Sequence, residues 1–249
     1  MMLHTIILHF ILLTSFIHLQ ENVAREADEA YRQGDYATAI EQYEAVLAKG
    51  CTSADLHYNL GNAYYRDGQM GRAILNYERA LRLKPTMGDA RENLALAESH
   101  TTDRVTPLPK LFLVRWIDTL CTRLLPSFWR IVCLVLLALM CAAVVCVRMG
   151  STRSLRKASL LVGVVSLLLL LAAVALLIRS TVHFNAHREA IVMSDAITIK
   201  SSPEAQSTDK LVLHEGTRLI VSDSIADWYK ITIADGTSGW CHSNEIERI

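Results

Sequence analysis

Two apolar runs that lie close together constrain this chain more than any other feature. Residues 131–147 and 158–178 contain no charged side chain and are separated by only ten residues. A helix needs about 20 apolar residues to cross the hydrocarbon core of a bilayer. The sequence therefore predicts two transmembrane helices, at 129–148 and 158–178, joined by a short loop at 149–157. Such a hairpin has both outer ends on the same side of the membrane.

The orientation of the hairpin depends on the segment at the start of the chain. The loop carries basic and no acidic side chains, which is typical of a cytoplasmic loop, but basic residues also precede the first span. Residues 1–20 break the tie, because they are apolar and have the length of a signal peptide, with an uncleaved N-terminal anchor as the alternative. An export signal places both soluble parts on the periplasmic side of the inner (cytoplasmic) membrane.

Residues 107–128 form a distinct segment before the first span. Phe112 and Trp116 alternate there with Lys110 and Arg115, and this mixture is typical of an amphipathic helix that lies along a membrane surface. The alternative is that this segment caps the helical domain that precedes it.

The region 21–100 repeats itself with an offset of 34 residues. The stretch AIEQYEAVL that begins at Ala39 aligns with AILNYERAL that begins at Ala73, and the same shift aligns Gly34 with Gly68. This is the period of tetratricopeptide repeats, which are antiparallel helix pairs. The second copy carries nearly the whole pattern of that family: Leu60, Gly61, Tyr64, Ala73, Tyr77, Ala80 and Pro85.

A third, partial copy at 89–98 would cap the stack. Two repeats and a cap lie near the lower limit of stability for such an array. We therefore expect the array to lean on the membrane segment or on another protein.

The first helix of each repeat lines the groove in which tetratricopeptide arrays commonly hold peptide segments of partners. Such a groove is a protein-binding site, and its aromatic and charged side chains are the candidate contacts. They are Asp28, Tyr31, Arg32, Tyr58, Asn62, Tyr65, Arg66 and Glu92. The alternative for each is a solvated helix face. The carboxylate-clamp version of the groove is not indicated, since only Asn59 matches its pattern.

The C-terminal region, 187–249, changes to short β-branched runs separated by turn residues, a pattern typical of a small antiparallel barrel. Asp235-Gly236 is a hairpin turn dipeptide. The order of a Ser-Ser-Pro strand end, a Gly-led strand, a Trp-led strand, this turn and a Gly-Trp pair resembles bacterial SH3 domains. That resemblance implies an exposed aromatic surface at Trp228, Tyr229 and Trp240, with core packing of the tryptophans as the alternative.

Chemistry-bearing motifs are not indicated. The six cysteines show no CxxC or Cys/His metal spacing, and neighbouring Cys241 and His242 would point to opposite faces of a strand. The formal net charge of zero gives no basic bias toward nucleic acid. We expect no enzymatic activity, no catalytic or metal site and no cofactor.

The whole architecture resembles the BatE-type proteins of the Bacteroides aerotolerance operon. The fold class is thus expected to be a multidomain membrane protein with an α-helical tetratricopeptide array, two transmembrane helices and a small all-β SH3-like barrel. The resemblance implies an inner-membrane scaffold that works beside von Willebrand factor A-domain membrane proteins in stress or oxygen tolerance. A peptidoglycan-binding anchor and a cell-wall enzyme are the alternatives, and the second lacks room for a hydrolase domain.

Overall fold

The computed structural model describes residues 25–106, 108–109, 111–185 and 188–249. They form two compact units, one of Pro109–His187 and the other of the chain up to Leu108 together with Arg188–Ile249. The predicted export segment, 1–20, lies outside the described residues.

Five helices make up the described part of the repeat region. They are α1 (25–32), α2 (Tyr36–Ala48), α3 (Ala54–Asp67), α4 (Met70–Leu83) and α5 (Gly88–Ser99). The Asp35 and Ser53 side chains accept hydrogen bonds from the backbone N–H groups of Thr38 and Leu56, and so cap α2 and α3. After α1 and α3 the chain turns at Gly34 and Gly68, both at positive φ, where a glycine carries no steric penalty.

Gly61 is a position of close contact between α3 and α4. A Cβ atom built at this position would lie 2.8 Å from the ring of Tyr77 and 3.4 Å from the carbonyl of Ala73. The two helices can therefore touch only because position 61 lacks a side chain. Small and aromatic residues of the predicted repeat pattern fill the core here, and Ala73 and Tyr77 are almost fully buried.

The C-terminal region is one seven-stranded antiparallel sheet. Its strands are β1 (Glu189–Val192), β2 (Ala196–Lys200), β3 (Asp209–His214), β4 (Arg218–Ile225), β5 (Trp228–Thr232), β6 (Ser238–His242) and β7 (Ile246–Arg248), in the order β3-β2-β6-β5-β4-β1-β7. The predicted Asp235-Gly236 turn joins β5 to β6, with Gly236 at positive φ. Gly239 lets β2 cross closely, because a Cβ atom there would overlap the side chain of Ile199.

Strand β1 is buried on both faces and joins the sheet to the helical array. Ala190 and Val192 face the core of the sheet, whereas Ile191, which points the other way, packs into the core of the repeats together with Ile249. Successive side chains of a strand point to opposite faces, so β1 contributes to two cores at once. The array and the sheet are therefore one folded body.

Polar contacts reinforce this junction. Gly71 in the first turn of α4 donates its N–H to the Glu215 carboxylate at 2.8 Å, so the sheet supplies the cap that residue Gln69 does not. Arg79 pairs with Glu247 at 2.8 Å.

The segment after α5 is also tied to the sheet, through Asp103. Its carboxylate accepts from the backbone N–H of His214 at 2.7 Å, from the His214 ring at 2.8 Å and from the hydroxyl of Thr217 at 2.7 Å. Partial burial by itself raises the pKa of Asp103, but these hydrogen bonds outweigh it and hold the pKa below its ordinary value.

Asp103 should make the junction sensitive to acid. A carboxyl whose pKa is lowered by folding stabilises the protein above its unfolded pKa, about 3.9, and that contribution is lost as the pH falls toward the folded pKa. We expect Asp103→Asn to lower the free energy of unfolding at pH 7 and to do so less at pH 3. Thermal melts of the whole protein in detergent across this range measure the difference. A constant difference between the two proteins at every pH would contradict this role of Asp103.

The second unit contains α6 (Phe112–Arg123), α7 (Pro126–Met149) and α8 (Arg153–Asn185). Both α7 and α8 are long and apolar enough to cross a membrane. Within their most apolar stretches only 6% and 11% of the residues are buried by the chain, whereas the core helix of a soluble protein is mostly covered. The two helices pack on each other, and α7 includes the predicted first span while α8 includes the second.

Helix α6 packs on α8 within this unit. Asp118 pairs with Arg179, and the Ser180 hydroxyl donates to the carbonyls of Cys121 and Leu124 at 3.4 Å. The large side chains of Phe112 and Trp116 are exposed.

Candidate protein-binding groove

The first helices of the repeats bring together four of the eight residues predicted as groove contacts. A pocket of about 190 Å³ is lined by Asp28, Tyr31, Arg32, Tyr43, Asn59 and Asn62. Tyr43 and Asn59 are additional to the predicted set. The pocket is too small for more than one or two side chains, so it can serve as one subsite of a longer groove.

Two of the predicted contacts hold the array together. Asp28 accepts hydrogen bonds from the Tyr43 hydroxyl at 2.5 Å and from the Asn59 amide at 3.4 Å. Burial and the contact with Asp28 raise the pKa of Tyr43. Asn62 accepts from the Tyr77 hydroxyl at 2.9 Å. Asp28 and Asn62 therefore shape the pocket. Their replacement would disturb the fold of the array as well as the binding of a ligand.

Asn93 connects the partial third repeat to the second repeat and extends the hydrogen bonds around Asn62. Its amide donates to Asn62 at 2.8 Å and to the hydroxyl of Tyr58 at 3.3 Å. The ring of Tyr58 also packs against Tyr77, with 6.1 Å between centroids. Tyr58 is thus half-buried in a hydrogen-bonded row, and only part of it faces the groove.

Arg66 and Tyr31 meet on the ring of Tyr36. The Arg66 Nε donates to the Tyr36 hydroxyl at 3.1 Å and its guanidinium lies 5.5 Å from the ring centroid, while the Tyr31 ring lies 5.5 Å away. Reasoning from the sequence missed Tyr36, because it begins α2 and the groove was assigned to first helices only. The three side chains make an aromatic surface with one fixed cation.

The remaining predicted contacts are more open. Tyr65 meets the ring of His100 edge-on at 5.9 Å. Arg32 is exposed and pairs with Glu29 at 3.3 Å. Glu92 is exposed on α5.

In the sheet, the three predicted aromatic residues do not form one surface. Trp228 pairs with His242, and Trp240 with Lys230, across β5 and β6, which puts both tryptophans on one face. Tyr229 points to the other face, where the Arg248 guanidinium lies 4.7 Å above its ring. Trp228 stacks on His242 with 3.9 Å between ring centroids.

Cys241 and His242 do not form a nucleophile and base. Cys241 is fully buried in the sheet core whereas His242 is exposed on the opposite face. Burial raises the pKa of the Cys241 thiol to about 12, so the thiolate needed for attack does not form near neutral pH. In the part of the chain that the structure describes, no group of His, Cys, Asp and Glu side chains could hold a metal ion.

The comparison with known families decides what the helical part is. The family model of the tetratricopeptide repeat matches residues 25–88 and, in a second match, residues 58–98. These residues are tetratricopeptide repeats. No curated protein matches the chain. Repeats of this family imply protein partners, and the groove described above is where such a partner would contact them.

Proposed function

We propose that this protein is a non-catalytic scaffold that binds a segment of a partner protein in the tetratricopeptide groove. The observation that carries the proposal is the set of half-buried aromatic side chains of Tyr31, Tyr36 and Tyr65 beside the exposed Arg66 on a folded array. Aromatic and Arg side chains dominate the energy of protein interfaces. The groove contacts most available to a ligand are those not used in the hydrogen-bonded row around Asn62.

The scaffold is anchored by α7 and α8 in the inner membrane. This proposal is supported by the apolar side chains of both helices, which the chain itself leaves uncovered. Because the array and the sheet share a core, they must lie on the same side, which agrees with a two-span hairpin. The export-like segment at 1–20 favours the periplasmic side.

Two further proposals rest on the resemblance of the sequence to known families. We infer that the C-terminal sheet is a bacterial SH3-like domain and that the protein acts in a BatE-type aerotolerance complex, with von Willebrand factor A-domain membrane proteins as partners. A second candidate function is binding of peptidoglycan, favoured by the half-exposed Trp228 and Trp240 on one face of the sheet.

The groove proposal predicts that Tyr65→Ala combined with Arg66→Ala releases proteins that co-purify with the scaffold from membranes. Loss of a hot-spot side chain costs about 2 kcal/mol or more, which lowers affinity roughly thirtyfold. Neither side chain is fully buried, so the array should remain folded. Quantitative mass spectrometry of the purified complexes measures the release of partners. Far-UV circular dichroism measures whether the array remains folded.

The matched control is Trp228→Ala combined with Trp240→Ala. If partners survive the groove change but are lost with the tryptophan change, the sheet carries recognition and the groove assignment is wrong. Loss of sedimentation with purified sacculi in the tryptophan variant would instead support the peptidoglycan function.

A further inference from the structure

The face of α5 that a third repeat would use to hold its second helix lines an open cleft. The residues of α5 that line it are Arg91, Leu94, Ala95, Glu98 and Ser99. The first four correspond, 34 positions earlier in the chain, to His57, Leu60, Gly61 and Tyr64, which are buried residues of α3. Those four receive α4 in the second repeat. The cleft therefore stands where the second helix of a complete third repeat would pack.

The contacts of α3 show what this face does when it is filled. The His57 ring meets the Asn76 side chain at 3.0 Å, the Tyr77 ring covers Gly61, and Arg72 donates to the Tyr64 hydroxyl at 3.2 Å. The same face of α5 is built on the same helix register. It is suited to receive a helix.

The sheet meets this position through the turn between β3 and β4 and through Arg218, which pairs with Glu98. The turn between β3 and β4 inserts there, since a Cβ atom at Gly216 would lie 2.8 Å from Thr101 and 2.9 Å from Ile74. A cleft of about 830 Å³ remains between α5, the segment at 101–105 and the sheet.

The charge of the lining selects the ligand. Arg91, Arg104 and Arg218 line the cleft with two acidic residues, Glu98 and Asp103. Asp103 already accepts three hydrogen bonds from His214 and Thr217, and Glu98 pairs with Arg218 at 3.3 Å. Arg91 donates to the carbonyl of Pro85, but a guanidinium carries five N–H donors, so this contact orients it and leaves donors for a ligand.

We propose that this cleft binds a short amphipathic helix of a partner protein, with a carboxylate that faces Arg91 and Arg104. Small side chains of that helix pack on Ala95, which is exposed, while Leu94 beneath it is buried in the core of the array. The residue opposite Ala95 must be small, because α5 has a methyl group where Gly61 of α3 leaves room for the Tyr77 ring. The site is separate from the groove, so it adds a second contact surface to the scaffold.

A peptide derived from the sequence of α4 tests the proposal. The probe is a fluorescein-labelled peptide with the sequence of residues 70–83 in which Asn76→Glu faces Arg91 and Tyr77→Ala faces Ala95. Fluorescence anisotropy with the full chain in detergent micelles should show saturable binding. The matched probe with Asn76→Lys, and the Arg91→Glu protein with the original probe, should each bind at least tenfold more weakly.

The Arg66→Ala protein is the control for the groove and should bind the probe with unchanged affinity. Absence of saturable binding by the glutamate probe would overturn the proposal, as would equal affinity for the glutamate and lysine probes. A dimer of the full chain in detergent that Arg91→Glu dissociates would assign the cleft to a second copy and would also overturn it. Loss of binding in the Arg66→Ala protein would place the probe in the groove and would likewise overturn the proposal.

Discussion

Replacing Gly61 with leucine should unfold the tetratricopeptide array. A Cβ atom at this position lies 2.8 Å from the Tyr77 ring, and Tyr77 cannot move aside because it is buried and donates its hydroxyl to Asn62. Overpacking of a tight core contact costs about 1–3 kcal/mol, and separation of two helices costs more. The gain in helix propensity over glycine, about 1 kcal/mol, is too small to offset it.

The measurement is thermal unfolding of the whole protein in detergent, followed by circular dichroism at 222 nm. The matched control is Gly88→Leu, because a Cβ atom at this position, the start of α5, would meet nothing within 4 Å. That variant should melt within a degree or two of the parent protein. Equal melting temperatures for the two variants would show that α3 and α4 do not make the contact described at Gly61.

Replacing Ile191 with asparagine should destabilise the array, although Ile191 lies on β1, far along the chain from the last helix of the array, which ends at Ser99. Ile191 is fully buried and packs with residues of the repeats. Loss of a buried aliphatic side chain costs about 2–5 kcal/mol, and burial of an amide without partners adds to it. Because the array and the sheet share this core, helix and sheet signals should be lost together in one transition at a lower temperature.

Ile220→Asn is the matched control for that experiment. Ile220 lies on β4, the strand beside β1, and is 45% exposed, so its replacement should change the free energy of unfolding by about 0.5 kcal/mol or less. Limited proteolysis provides a second readout, since the Ile191 variant should become sensitive in both the array and the sheet. An Ile191 variant as stable as the Ile220 variant would contradict the shared core.

Local signals predicted the elements of this fold well. The repeat offset, with Gly61 and Gly68 at its critical positions, predicted the helix pairs, because close helix contacts and left-handed turns require glycine. Asp235-Gly236 predicted the hairpin between β5 and β6 for a similar reason. Charge and apolar run length predicted α6, α7 and α8, although the helices extend beyond the apolar residues into polar flanks.

The junction between the array and the sheet was not predicted, although one signal for it was present. Ala190, Ile191 and Val192 are consecutive apolar residues, and an uninterrupted apolar strand indicates burial on both faces. Asp103 gave no such signal, since its partners lie more than a hundred residues away and depend on tertiary packing. In the groove, Tyr36 was missed because it begins α2, whereas the groove contacts were sought on the first helices only. Strand alternation alone could have separated Tyr229 from Trp228 and Trp240.

The side of the membrane on which each soluble part lies tests the central claim most directly. A reporter that is active only outside the cytoplasm can be fused through a flexible linker after Thr106, after Gly150 and after Ile249. Because the array and the sheet form one body carried by a hairpin, we predict activity at Thr106 and Ile249 and silence at Gly150. Opposite results at Thr106 and Ile249 would put the array and the sheet on different sides of the membrane and would contradict the account.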